Sequence, residues 1–469
     1  MFDRSDIAKS PAGPAAVLLY GIVFLFAFAY FVDTPWRQAY TIALYSGVSI
    51  WAAIVVFHRF RKSRPSPNLI DILAGAFLAS ILISVLLNWW DGTIQYLKLM
   101  PVLFVAPYVL GRAMLKQDGY FLRNILIATG IGVILLIFPE YLRVLKHGLP
   151  YIGSPAPVLF GQGHGVMLSG LLLSVTLLGL VSVLLSPNGS HSPLFLTSVN
   201  GRYCGYALLM IAIVVMGWIS SRGAALAGII GVSTLMVLAP KSARRRKVEI
   251  LLVITLSVAV AVVHSKHSTH ASANAAYYFQ VLERPPLLES DDFESLTDDG
   301  KGLFASVYRL LPTTPNPRWK GSILGNRACE LIVDSISDRW VHYQQAFALF
   351  LAKPVLGVGA NNYGFYACTR PGSFPHSTLL QVVAELGIIA GIGYCGLIGM
   401  TFFTFLRSRR RIAAAAEDEP IWAWLVAFTI MQVLIAQLNG NYFVSASLYF
   451  AMGMAANVLD REAKNLKAH

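Results

Sequence analysis

Charge is scarce in this chain, and negative charge scarcest. Only 13% of the 469 residues are charged, and Asp plus Glu number 24 against 37 Lys plus Arg. A soluble multidomain protein carries about twice that charged fraction, so the scarcity argues against one. Apolar residues take up the difference: 56% of the chain is hydrophobic and the mean hydropathy is +0.60. The composition therefore describes an all-α polytopic membrane protein. Spans of about 20 apolar residues are expected near 12–32, 37–57, 68–90, 94–114, 120–138, 164–185, 204–220, 223–239, 248–264, 377–406, 421–438 and 443–459, which makes about twelve transmembrane helices.

The few cations are clustered, and their placement orients the chain. Lys and Arg in short loops mark the cytoplasmic side, while acidic residues contribute little to the bias. The clusters are Arg59, Arg61, Lys62 and Arg64; Lys241 with Arg244, Arg245, Arg246 and Lys247; Arg407 with Arg409, Arg410 and Arg411; and a tail holding Arg461, Lys464 and Lys467. An even number of spans separates each cluster from the next, so all fall on one side and both termini are expected there. Topology and anionic lipid then explain the net charge of +13, rather than nucleic acid. The first span is long and lacks a small-residue cleavage pattern, so it reads as an ordinary first helix and not a signal peptide.

The opposite side carries the polar mass. The division that follows is 1–264 for nine helices, 265–375 for one large hydrophilic loop containing helices, and 376–469 for three further helices and the tail. Cytoplasmic loops that are little more than charge anchors leave the outer face as the place for chemistry. Cys329 and Cys368 lie in the outer loop, where an oxidising compartment lets them pair or leaves them as two unpaired thiols; Cys204 and Cys395 fall in or beside helices.

Several polar groupings compete as sites. The acidic run at 283–300, with Asp291, Asp292, Glu294, Asp298 and Asp299, matches no Ca²⁺ loop spacing and reads as a solvated turn. His264, His267 and His270 have metal-like spacing but no carboxylate beside them, and read as interfacial polar residues. The segment 334–352 has helical periodicity, with Arg339, Tyr343, Ala346 and Phe350 on one stripe and Pro354, Gly357 and Gly359 to end it. Such a helix either folds over a cavity and offers Arg339 to a ligand, or lets Arg339 snorkel to headgroups. Arg222, in WISSRGAALAG, stands between two apolar runs with no adjacent acid. A distant carboxylate, a lipid headgroup or a ligand phosphate must take its charge, and Arg binds phosphate in bidentate fashion.

His376 opens the run PHSTLLQVVAELG. With a helix starting near Pro375, His376, Leu380, Val383 and Gly387 share a face, and Gly387 permits close approach of a neighbouring helix. Glu385 is out of phase with that face and suits a structural pairing deeper in the membrane. Alone, His376 reads as an interfacial histidine bonded to backbone. As a set, a neutral imidazole able to take a proton near pH 7 and arginines able to steady a departing phosphate describe transfer from a phosphate-linked donor to a hydroxyl.

The pairing of DRWVHYQQAFALFLAKPVLGVGANNYG with HSTLLQVVAELG resembles the signature of the O-antigen ligase/polymerase superfamily, and His376 with ten residues before Gly387 resembles its ligase motif. SSRGA around Arg222 is similar to that family's arginine at the outer end of a helix. For its Arg-x3-Leu element, Arg327 fits literally (RACEL) and Arg339 more loosely (RWVHY), ahead of PVLGVG. The resemblance implies a GT-C-like glycosyltransferase of the bacterial inner membrane with its active site facing the periplasm. Undecaprenyl-diphosphate-linked O-antigen is the implied donor and a sugar hydroxyl of lipid A-core the acceptor, with no cofactor and no metal. His376 is the implied general base, and Arg222 with Arg339 or Arg327 the diphosphate ligands. Arg143 and Lys146, in the outer loop at 140–163, are further candidates for phosphates or acidic core sugars. An O-antigen polymerase or a protein O-oligosaccharyltransferase of the same superfamily would use much the same residues. A lipid-linked glycan transporter would instead need ionisable groups near the midplane and an internal repeat.

Overall fold

The computed structural model describes residues 67–87, 100–113, 164–186, 199–219, 222–267, 339–366, 374–418, 421–439 and 445–467, with scattered residues inside 50–61 and 120–135. Every regular element among them is helical. Three described helices are long and apolar enough to cross a membrane: α1 (Leu69–Leu87), α9 (Thr378–Asp418) over Thr378–Ser408, and α10 (Ile421–Asn439) over Ile421–Leu438. Shorter apolar stretches lie within α3 (His164–Leu185), α4 (Val199–Ile219), α5 (Arg222–Leu238) and α11 (Ala446–Lys467). These elements coincide with the expected runs to within a few residues, because apolar runs that must satisfy their own backbone in lipid have little choice but helix. The expected span at 12–32, nearly all of 37–57, and most of the large loop lie outside the described residues.

The chain divides into two compact units. The first takes residues 1–54, 114–265 and 410–431. Within it α3 packs on α4 and α5. Ser174 donates to the Ala224 carbonyl at 2.8 Å, and a Cβ on Gly228 would meet that serine's Oγ at 3.1 Å, so small residues let these two helices approach closely. At the start of α6 (Arg244–His267), Arg246 donates to the Ser186 carbonyl just past α3, and Lys247 to the Ala239 carbonyl just past α5, at 2.8 Å. Two members of the basic cluster therefore cap the negative ends of neighbouring helices, where cations are favoured.

The second unit takes residues 55–113, 266–409 and 432–469. A π-turn at Pro101–Val105 leads into α2 (Ala106–Ala113), which lies against α11. The two backbones nearly touch: a Cβ on Gly111 would sit 2.0 Å from the Phe450 carbonyl oxygen, and one on Gly453 would sit 2.0 Å from that of Tyr108. Rings continue the seam from Tyr394 through Phe77 (5.4 Å) and Phe104 (5.9 Å) to Tyr449 (4.2 Å). At one end of this packing, the buried Arg112 meets Asp71 of α1 (Nε to Oδ1 3.1 Å, Nη2 to Oδ2 3.2 Å) and Asp460 of α11 (3.6 Å), while the Tyr108 hydroxyl donates to Asp71 at 2.7 Å. A buried guanidinium is tolerable only with such partners. Gly453→Ala is expected to force these helices apart and cost roughly 1–3 kcal/mol of stability, read as a lower melting temperature in detergent; an unchanged melt would mean the seam yields freely.

Candidate active site

α7 (Arg339–Ala352) ends where Pro354 and the two glycines were expected to end it, and the chain then turns back through residues 353–362. Its buried stripe runs through Gln345, Ala346 and Leu349, with Tyr343 and Phe350 half-buried at its edges. This stripe packs on Val358, Tyr363 and Ala384, so α7 lies over the beginning of α9.

α9 is broken at Gly387, which takes φ +78°. A break orphans helix carbonyls and amides, and the 353–362 turn supplies their partners. Val358 N–H donates to the Ala384 carbonyl (2.9 Å), Gly359 N–H to that of Glu385 (2.8 Å), and Ile388 N–H to that of Pro354 (2.8 Å). Only glycine fits where the segments cross: a Cβ on Gly387 would lie 2.1 Å from the Val355 carbonyl oxygen, and one on Gly357, at φ +66°, would lie 2.3 Å from the Glu385 carbonyl carbon. Gly387 thus meets a turn.

His376 precedes the helix. Ser377 Oγ accepts weakly from Leu380 N–H at 3.4 Å, the position of an N-cap, and Thr378 Oγ1 donates to the Ala436 carbonyl at 2.6 Å, pinning the helix start. The face expected to join His376 to Gly387 therefore does not form, since one lies before the helix and the other interrupts it. His376 instead adopts φ +54°, a left-handed conformation that costs a non-glycine residue about 1–3 kcal/mol and clusters at functional sites. Its ring is bracketed by Phe374, at a centroid distance of 4.7 Å, and by His342 of α7, at 5.7 Å with the planes 65° apart.

His342 was not singled out in the sequence, nor was the group that holds it. Its Nδ1 lies 3.1 Å from the hydroxyl of Tyr363, in the short helix α8 (Tyr363–Tyr366), and that hydroxyl also reaches the His342 carbonyl (3.1 Å) and Gln345 Oε1 (3.0 Å). Tyr363 is fully buried, and its N–H donates to Glu385 Oε1 at 3.1 Å; the other carboxylate oxygen accepts from Asn361 N–H at 2.7 Å. Burial first, and the Glu385 charge second, push the phenol well above its ordinary range, so it stays protonated. Glu385 thus pairs structurally, with the backbone amides of Asn361 and Tyr363. Two further buried amides face this network with one atom each unpartnered among the described residues: Gln345 Nε2, a donor, and Gln381 Oε1, an acceptor.

The candidate arginines are placed by backbone. Arg222 is the first described residue of α5 in the first unit, and Arg339 the first described residue of α7 in the second. Arg327, Arg143, Lys146, Cys329 and Cys368 lie outside the described residues; Cys204 and Cys395 are free thiols on α4 and α9.

Residues 207–395 match the O-antigen ligase family. The match places this segment in the O-antigen ligase superfamily, and with the apolar helices it describes a membrane protein. No curated protein matches the chain. The O-antigen ligase match takes in Arg222, Arg327, Arg339, His376 and Gly387, together with His342, Tyr363 and Glu385, and leaves out Arg143 and Lys146.

Proposed function

We propose that the chain is an O-antigen ligase of the bacterial inner membrane. It moves O-antigen from an undecaprenyl-diphosphate donor to a sugar hydroxyl of lipid A-core on the periplasmic side. The observation that carries this reading is the strained, ring-bracketed imidazole of His376 inside a segment matching the O-antigen ligase family. His376 takes the proton of the acceptor hydroxyl as that oxygen attacks the anomeric carbon. The bond from that carbon to the phosphate oxygen breaks, the diphosphate leaves with the electron pair, and configuration inverts. Arg222, with Arg339 or Arg327, meets the growing negative charge through charge-assisted hydrogen bonds. Arg143 and Lys146 are assigned a lesser part, at the phosphates or acidic core sugars.

Guanidinium groups supply the positive charge that a divalent ion supplies in many phosphate-transfer sites. Purified protein incubated with lipid-linked O-antigen and lipid A-core in EDTA is therefore expected to yield joined product. Strict dependence on added Mg²⁺ would overturn the arginine assignment, and a lengthened lipid-linked glycan with nothing joined to lipid A-core would make the chain a polymerase.

A further inference from the structure

The hydroxyl of Tyr363 has one proton and three neighbours. Two of them, the His342 carbonyl and Gln345 Oε1, are oxygens that only accept, so the proton is spent on them. With the Gln345 amide in this orientation, the third, His342 Nδ1 at 3.1 Å, is the donor to the phenol oxygen. His342 is thereby held as the Nδ1–H tautomer, with its basic lone pair on Nε2. The clamp is firm, because Tyr363 is buried and its own N–H is tied to Glu385. The imidazole so fixed stands edge-on to His376, whose other flank is Phe374.

From this we infer that His342 is a positioning residue for His376: it sets the orientation of that ring and shares with it the single proton taken from the acceptor hydroxyl. The inference rests on the reading of His376 as general base. In the transfer, the acceptor O–H bond breaks and its proton passes to an imidazole nitrogen of His376. The oxygen–carbon bond forms, the carbon–phosphate oxygen bond breaks, and the diphosphate carries away the electrons. One cation then resides on two adjoining imidazoles. A second proton is disfavoured by like charge, so the pair titrates in two separated steps that belong to both rings. The titratable groups on the elements packed here are Arg339, Tyr343 and Lys353 of α7 and its following turn, Tyr363 and Tyr366 of α8, and Glu385 in the part of α9 that precedes the Gly387 break.

The test is steady-state kinetics on the purified full-length protein with lipid-linked O-antigen and lipid A-core, across pH 5 to 9, for His342→Ala and His342→Asn. Asparagine keeps an N–H near the position of Nδ1 for the Tyr363 hydroxyl and removes the second imidazole, so it preserves the fold where alanine does not. The expected result is a fall in kcat of about 10²-fold, the usual cost of a misplaced catalytic group, with KM for the donor unchanged. The midpoint of the low-pH limb should also move, because the proton then belongs to one ring instead of two. A folded His342→Asn enzyme with wild-type kcat, or with the wild-type pH profile, overturns the inference. The two readings fail separately: His376→Ala protein that still ligates removes the base itself, whereas inactive His376→Ala beside fully active His342→Asn removes only the positioning role.

Discussion

His376→Ala protein is expected to accumulate in the membrane at the normal level while the cells' lipopolysaccharide loses its O-antigen ladder. Removing a general base costs about 10²–10⁴ in rate, enough to empty a ladder that depends on turnover during growth. Alanine is no more comfortable than histidine at φ +54°, so stability should change little. His376→Gly sharpens the experiment. Glycine adopts that backbone without penalty, so the variant should be at least as stable as the wild type and equally inactive, which separates chemistry from folding. Near-normal ladders in either variant would end the assignment of His376.

Arg222→Ala should be nearly as damaging. Loss of one preorganised donor to a developing anion costs about 3–4 kcal/mol, or 10²–10³ in rate. The informative variant is Arg222→Lys, which retains the charge and loses the planar fork that grips two phosphate oxygens. It is expected to stay close to Ala in kcat when the purified enzyme is assayed with lipid-linked donor. Recovery to wild-type rate by lysine would reduce Arg222 to a simple counter-charge for headgroups.

The helices were largely legible because lipid imposes a simple rule. The runs read at 164–185, 223–239 and 421–438 reappear as α3, α5 and α10 with ends shifted by a residue or two. The break at Gly387 was not legible, since glycine is common in membrane helices and its neighbours are uniformly apolar. What demands it is the docked turn at 353–362, a tertiary fact. The same holds for the surroundings of His376. Pro375 invites a helix start, yet Ser377 and the Ala436 carbonyl set the start three residues later and leave the histidine in a left-handed bend. His342 is one residue in an amphipathic stripe, and its relation to Tyr363 spans a turn whose path no periodicity encodes. A usable signal was present in the histidine of RWVHYQQ, on the helix that carries a candidate arginine.

The interruption in α9 also has a consequence for depth. The part from Ile388 to Ser408 rises roughly 30 Å at about 1.5 Å per residue, which alone matches an oily layer of about 30 Å. The segment from Thr378 to Leu386 is then surplus to crossing and serves as a pedestal roughly 13 Å tall. In the proposed reaction such a pedestal would lift the imidazole toward the level of a carrier lipid's diphosphate, and the sugar would not have to leave water to react.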